Sequence, residues 1–249
     1  MKRRNVLLAV SLLLLLAPVI ALADTIETTS PGTYAWQSWT SSDLGGDGNP
    51  YWDGASWDGT NKNIGYCLTG SCSMPDAPGE IPFWGSAGGA FDPNFYFQKD
   101  TPGSTAALML EIAGYANSNT FGWFETNPDG TFLGTTHQVF SGLDGPGTIS
   151  PPFTPTLYYG FYLTTPEGFT FYTVSSLGDD SGKQHFAFFQ QGQSYWLGME
   201  DLKLGSGDKD YQDMVVRVTP VPEPASLTLL GMGLIGLAGL VRPKSKARS

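Results

Sequence analysis

One residue in five of this chain is glycine or proline, 32 and 18 of 249 respectively, and that excludes long helices from most of its length. In a helix interior glycine costs about 1 kcal/mol and proline about 3 kcal/mol relative to alanine. Between the two ends, no segment shows the apolar stripe of an amphipathic helix. The glycines and prolines instead bound short runs rich in aromatic and β-branched residues, the pattern of strands. Such runs occur at Asn94–Gln98, Ala106–Ala113, Thr120–Thr126, Thr156–Thr164, Phe169–Val174, Gln184–Gln190, Ser194–Met199 and Met214–Val218. Asn127-Pro128-Asp129-Gly130 and Pro166-Glu167-Gly168 are expected turns. Strands at this spacing predict an all-β fold, an antiparallel β-sandwich of jelly-roll or Ig-like type, in one domain over residues 24–218. Its main strands fall in 94–218. The preceding 24–93, above all Gly45–Gly89, shows little alternation and is read as long loops laid over one end of the sandwich.

The chain ends are of a different kind. Lys2, Arg3 and Arg4 precede an apolar stretch, Val6–Leu16, and Ala21-Leu22-Ala23 supplies the small residues at which a signal peptidase cuts. Residues 1–23 are therefore read as a cleavable signal peptide, with Asp24 the first mature residue. At the other end a 219–224 linker, stiff and extended at Thr219-Pro220-Val221-Pro222, finishes in Pro222-Glu223-Pro224. The uncharged residues 225–241 follow, ~26 Å long as a helix and just enough to cross a hydrocarbon core. Arg242, Lys244, Lys246 and Arg248 in the terminal 242–249 would stay on the cytoplasmic side. Such a tail also serves as a plain single-pass anchor. Taken as a set, however, Pro-Glu-Pro, Gly-rich apolar span and basic end resemble the PEP-CTERM sorting signal. That resemblance implies an exosortase as processing partner, a membrane-anchored intermediate, and a final place at the cell surface or outside the cell. It also implies a Gram-negative-type cell that makes extracellular polysaccharide, and so a role in a biofilm matrix.

All 23 acidic residues lie between Asp24 and Glu223, whereas seven of the 13 basic residues belong to the two ends. The body of the chain thus carries six cations against 23 anions, a net charge of −17 where the whole chain has −10. A basic footprint for nucleic acid is excluded. Solubility outside the cell and divalent-cation binding both fit. The only cysteines, Cys67 and Cys72, are expected to form a disulfide in an oxidising compartment.

Five carboxylates, Glu200, Asp201, Asp208, Asp210 and Asp213, fall within a short Gly-rich segment between two apolar strands. Hard cations such as Ca²⁺ take six to eight oxygen ligands from a loop able to fold round them, and alternate residues such as Asp208 and Asp210 face the same way in extended chain. The spacing is not that of an EF-hand, because Asp213 and Thr219 stand where that loop needs glycine and glutamate. The same acids also serve as turn caps that accept backbone N–H bonds. Leu197-Gly198-Met199-Glu200-Asp201-Leu202 followed by Gly207-Asp208-Lys209-Asp210-Tyr211-Gln212-Asp213 resembles the closing motif of a β-sandwich domain of uncharacterised function. That domain occurs in secreted bacterial proteins, including calcium-dependent adhesins. The resemblance covers about 157–218 and implies Ca²⁺ held by the acidic hairpin. Gln212 departs from it, standing where the motif has asparagine.

A second cluster, Tyr51-Trp52-Asp53-Gly54-Ala55-Ser56-Trp57-Asp58-Gly59, has two readings. Trp52 and Trp57 with Asp53 and Asp58 suit an aromatic platform for extracellular polysaccharide. Equally, the indoles serve as core and the Asp-Gly pairs as turns. For an enzyme the inventory is poor: there is no G-x-S-x-G elbow and no H-E-x-x-H. The expected protein is non-catalytic.

Overall fold

The computed structural model describes residues 24–28, 56–57, 61–80, 95–100, 103–111, 115, 118–204 and 210–221, all within one compact unit running from Leu22 to Val221. The expected signal peptide, the Pro222-Glu223-Pro224 motif and the 225–241 span lie outside the described residues.

Two antiparallel sheets pack as a sandwich. The first contains β1 (Thr25–Thr28), β4 (Phe95–Gln98), β6 (Thr120–Thr126), β7 (Phe132–Phe140) and β8 (Tyr158–Thr164) in the order β1-β4-β8-β6-β7, with β9 (Thr170–Tyr172) also on β8. The second contains β5 (Ser104–Glu111), β10 (Phe186–Gln191), β11 (Ser194–Met199) and β12 (Met214–Pro220) in the order β10-β11-β12-β5. A separate two-residue ladder joins β2 (Ser56–Trp57) to β3 (Asn61–Lys62). The expected turns close as hairpins: Asn127 N–H donates to the Thr131 carbonyl at 2.9 Å, and Thr165 N–H to that of Phe169 at 2.9 Å.

Alternation along each strand sends one set of side chains inward. Phe97 stands at the centre, its ring 5.3–5.7 Å from those of Tyr159, Phe161, Phe188 and Tyr195. Phe121, Leu163, Leu197, Val216 and Val218 extend this core across both sheets.

Three features depart from expectation. Strand β7 has no apolar alternation, because it is an edge strand with Leu133, Thr135 and Thr136 exposed. Its place is set by pairing with β6, as in Trp123↔His137 and Thr126↔Phe132. Secondly, the loop-rich region is only partly loop: Thr25–Thr28 forms β1 on β4 of the first sheet, and residues 63–77 lie across the outer face of the second sheet, not over one end of the sandwich. That face is apolar as well, carrying Met109, Ala187, Phe189, Trp196 and Val215, and Ile64, Cys67, Leu68 and Met74 cover it. A helical turn at Ile64–Tyr66, capped by Asn63 Oδ1 accepting Tyr66 N–H at 2.8 Å, begins the cover. The Cys67–Cys72 disulfide closes it, with the Cα atoms 4.7 Å apart. Thirdly, Thr219 and Pro220 belong to β12, paired with Thr105 and Ser104, and Val221 N–H donates to the Gly103 carbonyl at 2.9 Å. The sheet, rather than a spacer, therefore runs to the edge of the Pro-Glu-Pro motif.

Replacing both cysteines with serine is expected to lower stability by about 2 kcal/mol, the chain entropy of so small a loop. The fold should be retained, because Ile64, Leu68 and Met74 still cover the sheet. Urea unfolding of the variant against the oxidised protein measures this.

Candidate metal centre

The site arises from a strand register. Strands β11 and β12 are antiparallel with Met199 opposite Met214, so the next rung brings Glu200 opposite Asp213. Asp201 N–H then donates to Asp213 Oδ2 at 2.9 Å. From the other sheet, the residue preceding β6 reaches over: Asn119 Nδ2 donates to Asp201 Oδ2 at 2.8 Å. Carboxylate oxygens of Glu200, Asp201 and Asp213 all lie within 4.8 Å of one another, and these residues are 0%, 2% and 6% exposed. Asn119 is wholly buried, and its Oδ1 accepts no hydrogen bond among the described residues. That oxygen shares a carbon with the nitrogen on Asp201, so it too sits beside the cluster.

The hairpin carrying these acids is braced from three directions. A Cβ on Gly198 would lie 2.5 Å from the Tyr211 carbonyl oxygen and 2.9 Å from Ile64 Cγ1; only glycine lets the returning chain pass this close. Ile64 N–H, from the disulfide-closed cover, donates to the Asp210 carbonyl at 2.8 Å. Tyr211 takes a left-handed backbone, φ +57°, which costs a side-chain-bearing residue on the order of 1–2 kcal/mol. Complete burial holds it there, with its hydroxyl donating to the Gln184 carbonyl at 3.0 Å. Burial, and then the charge of Glu200, push that hydroxyl well above the ordinary tyrosine range.

His185 supplies the third brace. Its ring lies flat on Phe171, centroids 3.5 Å apart. Its Nδ1 stands 2.9 Å from the Glu200 carbonyl and its Nε2 3.2 Å from Asp180 Oδ2. A carbonyl only accepts, so Nδ1 carries the hydrogen. Burial drives the imidazole down to about 4, against upward pulls from the Glu200 carbonyl and Asp180. Asp180 Oδ2 also accepts Leu204 N–H at 2.8 Å, tying the segment after Asp201 to the approach to β10.

Of the five acids in the hairpin, Glu200, Asp201 and Asp213 thus converge. Asp210 is turned to local work: its carboxylate accepts from Gln212 N–H at 3.2 Å and Gln212 Nε2 at 2.9 Å. Gln212 is held through that side-chain bond, while the left-handed conformation falls on Tyr211. Asp208 lies outside the described residues. So do Trp52, Asp53 and Asp58; Trp57 forms half of β2, opposite Asn61. Asn119 carried no sequence signal, being an asparagine in a polar loop 82 residues from Asp201.

Residues 159–220, a quarter of the chain, match the family model for a domain of unknown function, DUF4114, and residues 220–242 match the PEP-CTERM protein-sorting motif. The first match runs from β8 through the end of β12 and contains the entire acidic hairpin; the second begins where β12 ends. No curated protein and no solved structure matches the chain. The chain is therefore an exported protein with a β-sandwich body. Its PEP-CTERM motif marks it for sorting to the cell surface and implies processing by an exosortase.

Gly198→Ala should cost about 1–3 kcal/mol, the range for overpacking a filled interior. Gly145→Ala, where an added Cβ meets nothing within 4 Å, should stay within about 0.5 kcal/mol of the parent. Equal midpoints for the two in urea unfolding would remove the close approach at Gly198 as the reason for glycine there.

Proposed function

We propose that this protein is a non-catalytic component of the cell surface or biofilm matrix, with a sandwich clipped by Ca²⁺ at Glu200, Asp201 and Asp213. The observation that carries this reading is the burial of three carboxylates with their oxygens inside 4.8 Å. At such a separation each pair of negative charges repels by on the order of 3 kcal/mol even at an effective dielectric of ~20. A divalent cation turns that repulsion into attraction. The donor set is all oxygen, three carboxylates with the Asn119 amide beside them, which suits a hard cation of flexible coordination such as Ca²⁺ better than Zn²⁺.

Placement favours a structural role. Glu200 and Asp213 extend the second sheet, while Asn119 precedes β6 of the first, so a cation here staples one sheet to the other. The start of the described body is elsewhere: Asp24 meets Tyr195 at the start of β11, ~17 Å along that strand from Glu200. Catalysis has little support, since the one histidine near the acids, His185, is wholly buried and its Nδ1–H is committed to the Glu200 carbonyl.

At ~1 mM external Ca²⁺ and a dissociation constant of ~0.1 mM, binding adds about 1.4 kcal/mol, or roughly 4 °C for a domain of this size. Thermal melts in EDTA and in millimolar Ca²⁺ should show that rise in the parent and lose it in Asp201→Asn/Asp213→Asn. An unchanged melt in the parent would reduce the acids to turn caps. The competing reading is a carbohydrate-binding module using Trp52, Asp53, Trp57 and Asp58. Retention on extracellular polysaccharide that fails in Trp57→Ala, yet survives Asp201→Asn/Asp213→Asn, would establish it instead.

A further inference from the structure

Asp24 is the residue that signal-peptide removal is expected to leave first in the chain, and it is held more tightly than a chain terminus needs to be. It is 3% exposed, whereas most domain termini are loosely ordered. Its Oδ1 accepts Asp100 N–H at 3.0 Å, from the residue pair that follows β4. Its Oδ2 accepts the Tyr159 hydroxyl at 2.5 Å, from β8 of the first sheet. Its carbonyl accepts the Tyr195 hydroxyl, from β11 of the second sheet. One residue thus bridges both sheets at their shared end. Asp100 returns the contact: its Oδ2 accepts both the N–H and the hydroxyl of Thr25, which begins β1.

This arrangement brings the Asp100 carboxylate near the Asp24 backbone nitrogen. Thr25 N lies 3.1 Å from Asp100 Oδ2, and one residue of backbone separates it from Asp24 N. Standard bond lengths then keep Asp24 N within about 7 Å of that oxygen, and it is closer still to the carboxylate of Asp24 itself. Other titratable groups facing this corner are the Tyr159 and Tyr195 hydroxyls. Burial, followed by the charges of Asp24 and Asp100, pushes both up, so they stay protonated and donate. Lys99, next to Asp100, directs its ammonium to the Pro155 carbonyl at 2.9 Å.

We propose that hydrolysis of the Ala23–Asp24 bond makes the new α-amino group of Asp24 a structural cation, which the Asp24–Asp100 carboxylate pair takes up and which secures β1 across the end of the sandwich. In that step water adds across the peptide bond. Its hydroxyl goes to the Ala23 carbonyl carbon, which leaves as a carboxylate, and the Asp24 nitrogen becomes an ammonium. While the leader remains attached, the same nitrogen is a neutral amide and this attraction is missing. Leader removal and final stabilisation of the sandwich are thereby one event, timed to the moment the chain has crossed the membrane. The inference rests on the expected leader and is independent of the cation at Glu200, Asp201 and Asp213.

The sign of the pH dependence follows. A free α-amino group ordinarily titrates near 7.7–8.0, and neighbouring carboxylates raise that value in the folded state. The stabilisation is then complete below about pH 7.7 and disappears as pH rises through the raised folded value. To test this, the full chain is exported from a producing host and solubilised, and its start is read by mass spectrometry. One portion is then acetylated on the α-amine. Expected results are a chain beginning at Asp24 and a free-amine form melting several degrees above the acetylated form at pH 7. The gap should close by about pH 10 and be smaller at pH 7 in Asp100→Asn. Should that variant fail to fold, the free and acetylated parent chains decide alone. A chain beginning elsewhere, or a difference between the two forms that does not change with pH, overturns the proposal.

Discussion

The candidate site depends on the register of β11 against β12. Once Met199 faces Met214, Glu200 and Asp213 have no freedom to avoid each other, and Asp201 is drawn in through its N–H bond to Asp213. A shift of one residue would turn Trp196, Leu197 and Val216 to the wrong faces, and two buried clusters would be lost together. The apolar core on either side of the second sheet therefore holds three carboxyl groups within 4.8 Å of one another. Hydrophobic burial supplies the constraint, and the acidic triad it creates could hold a metal ion.

That second sheet is buried on both faces, and this links parts of the chain far apart in sequence. Its inner face meets the first sheet, while its outer face needs a cover, which comes from the disulfide-closed segment around Cys67. Ile64 in the cover touches the path over Gly198 and bonds the Asp210 carbonyl. The disulfide, the cover and the acidic hairpin are consequently one mechanical unit. The two ends of the sandwich have different tasks: one carries the acids and Asn119, the other gathers Asp24, Tyr195, Gly103 and Val221.

Much of the architecture was legible in sequence wherever short apolar and aromatic runs stand between turn residues, as in β6, β8, β11 and β12. It was not legible in β7, where an exposed edge imposes no such run. The near-continuous apolar letters of β5 and β11 were read as strands but not as a sheet covered twice. In them lay the signal that the loop-rich region would cross a face, rather than cap an end. Within the acidic hairpin, sequence marked the right segment without separating Asp210, which serves Gln212, from its converging neighbours.

The sorting tail was determined by sequence alone, because processing enzymes read such signals as short linear stretches that need no fold to be recognised. The β class followed likewise from local preference, since glycine, proline and aromatic content act residue by residue. Tertiary structure alone decided which acids meet, why Gly198 must be glycine, and that Asp24 lies at the joint of both sheets. Those outcomes join positions as distant as Asp24 and Tyr195, 171 residues apart. Such a meeting is set by how strands pair and pack, a property of the whole chain that no single stretch of it encodes.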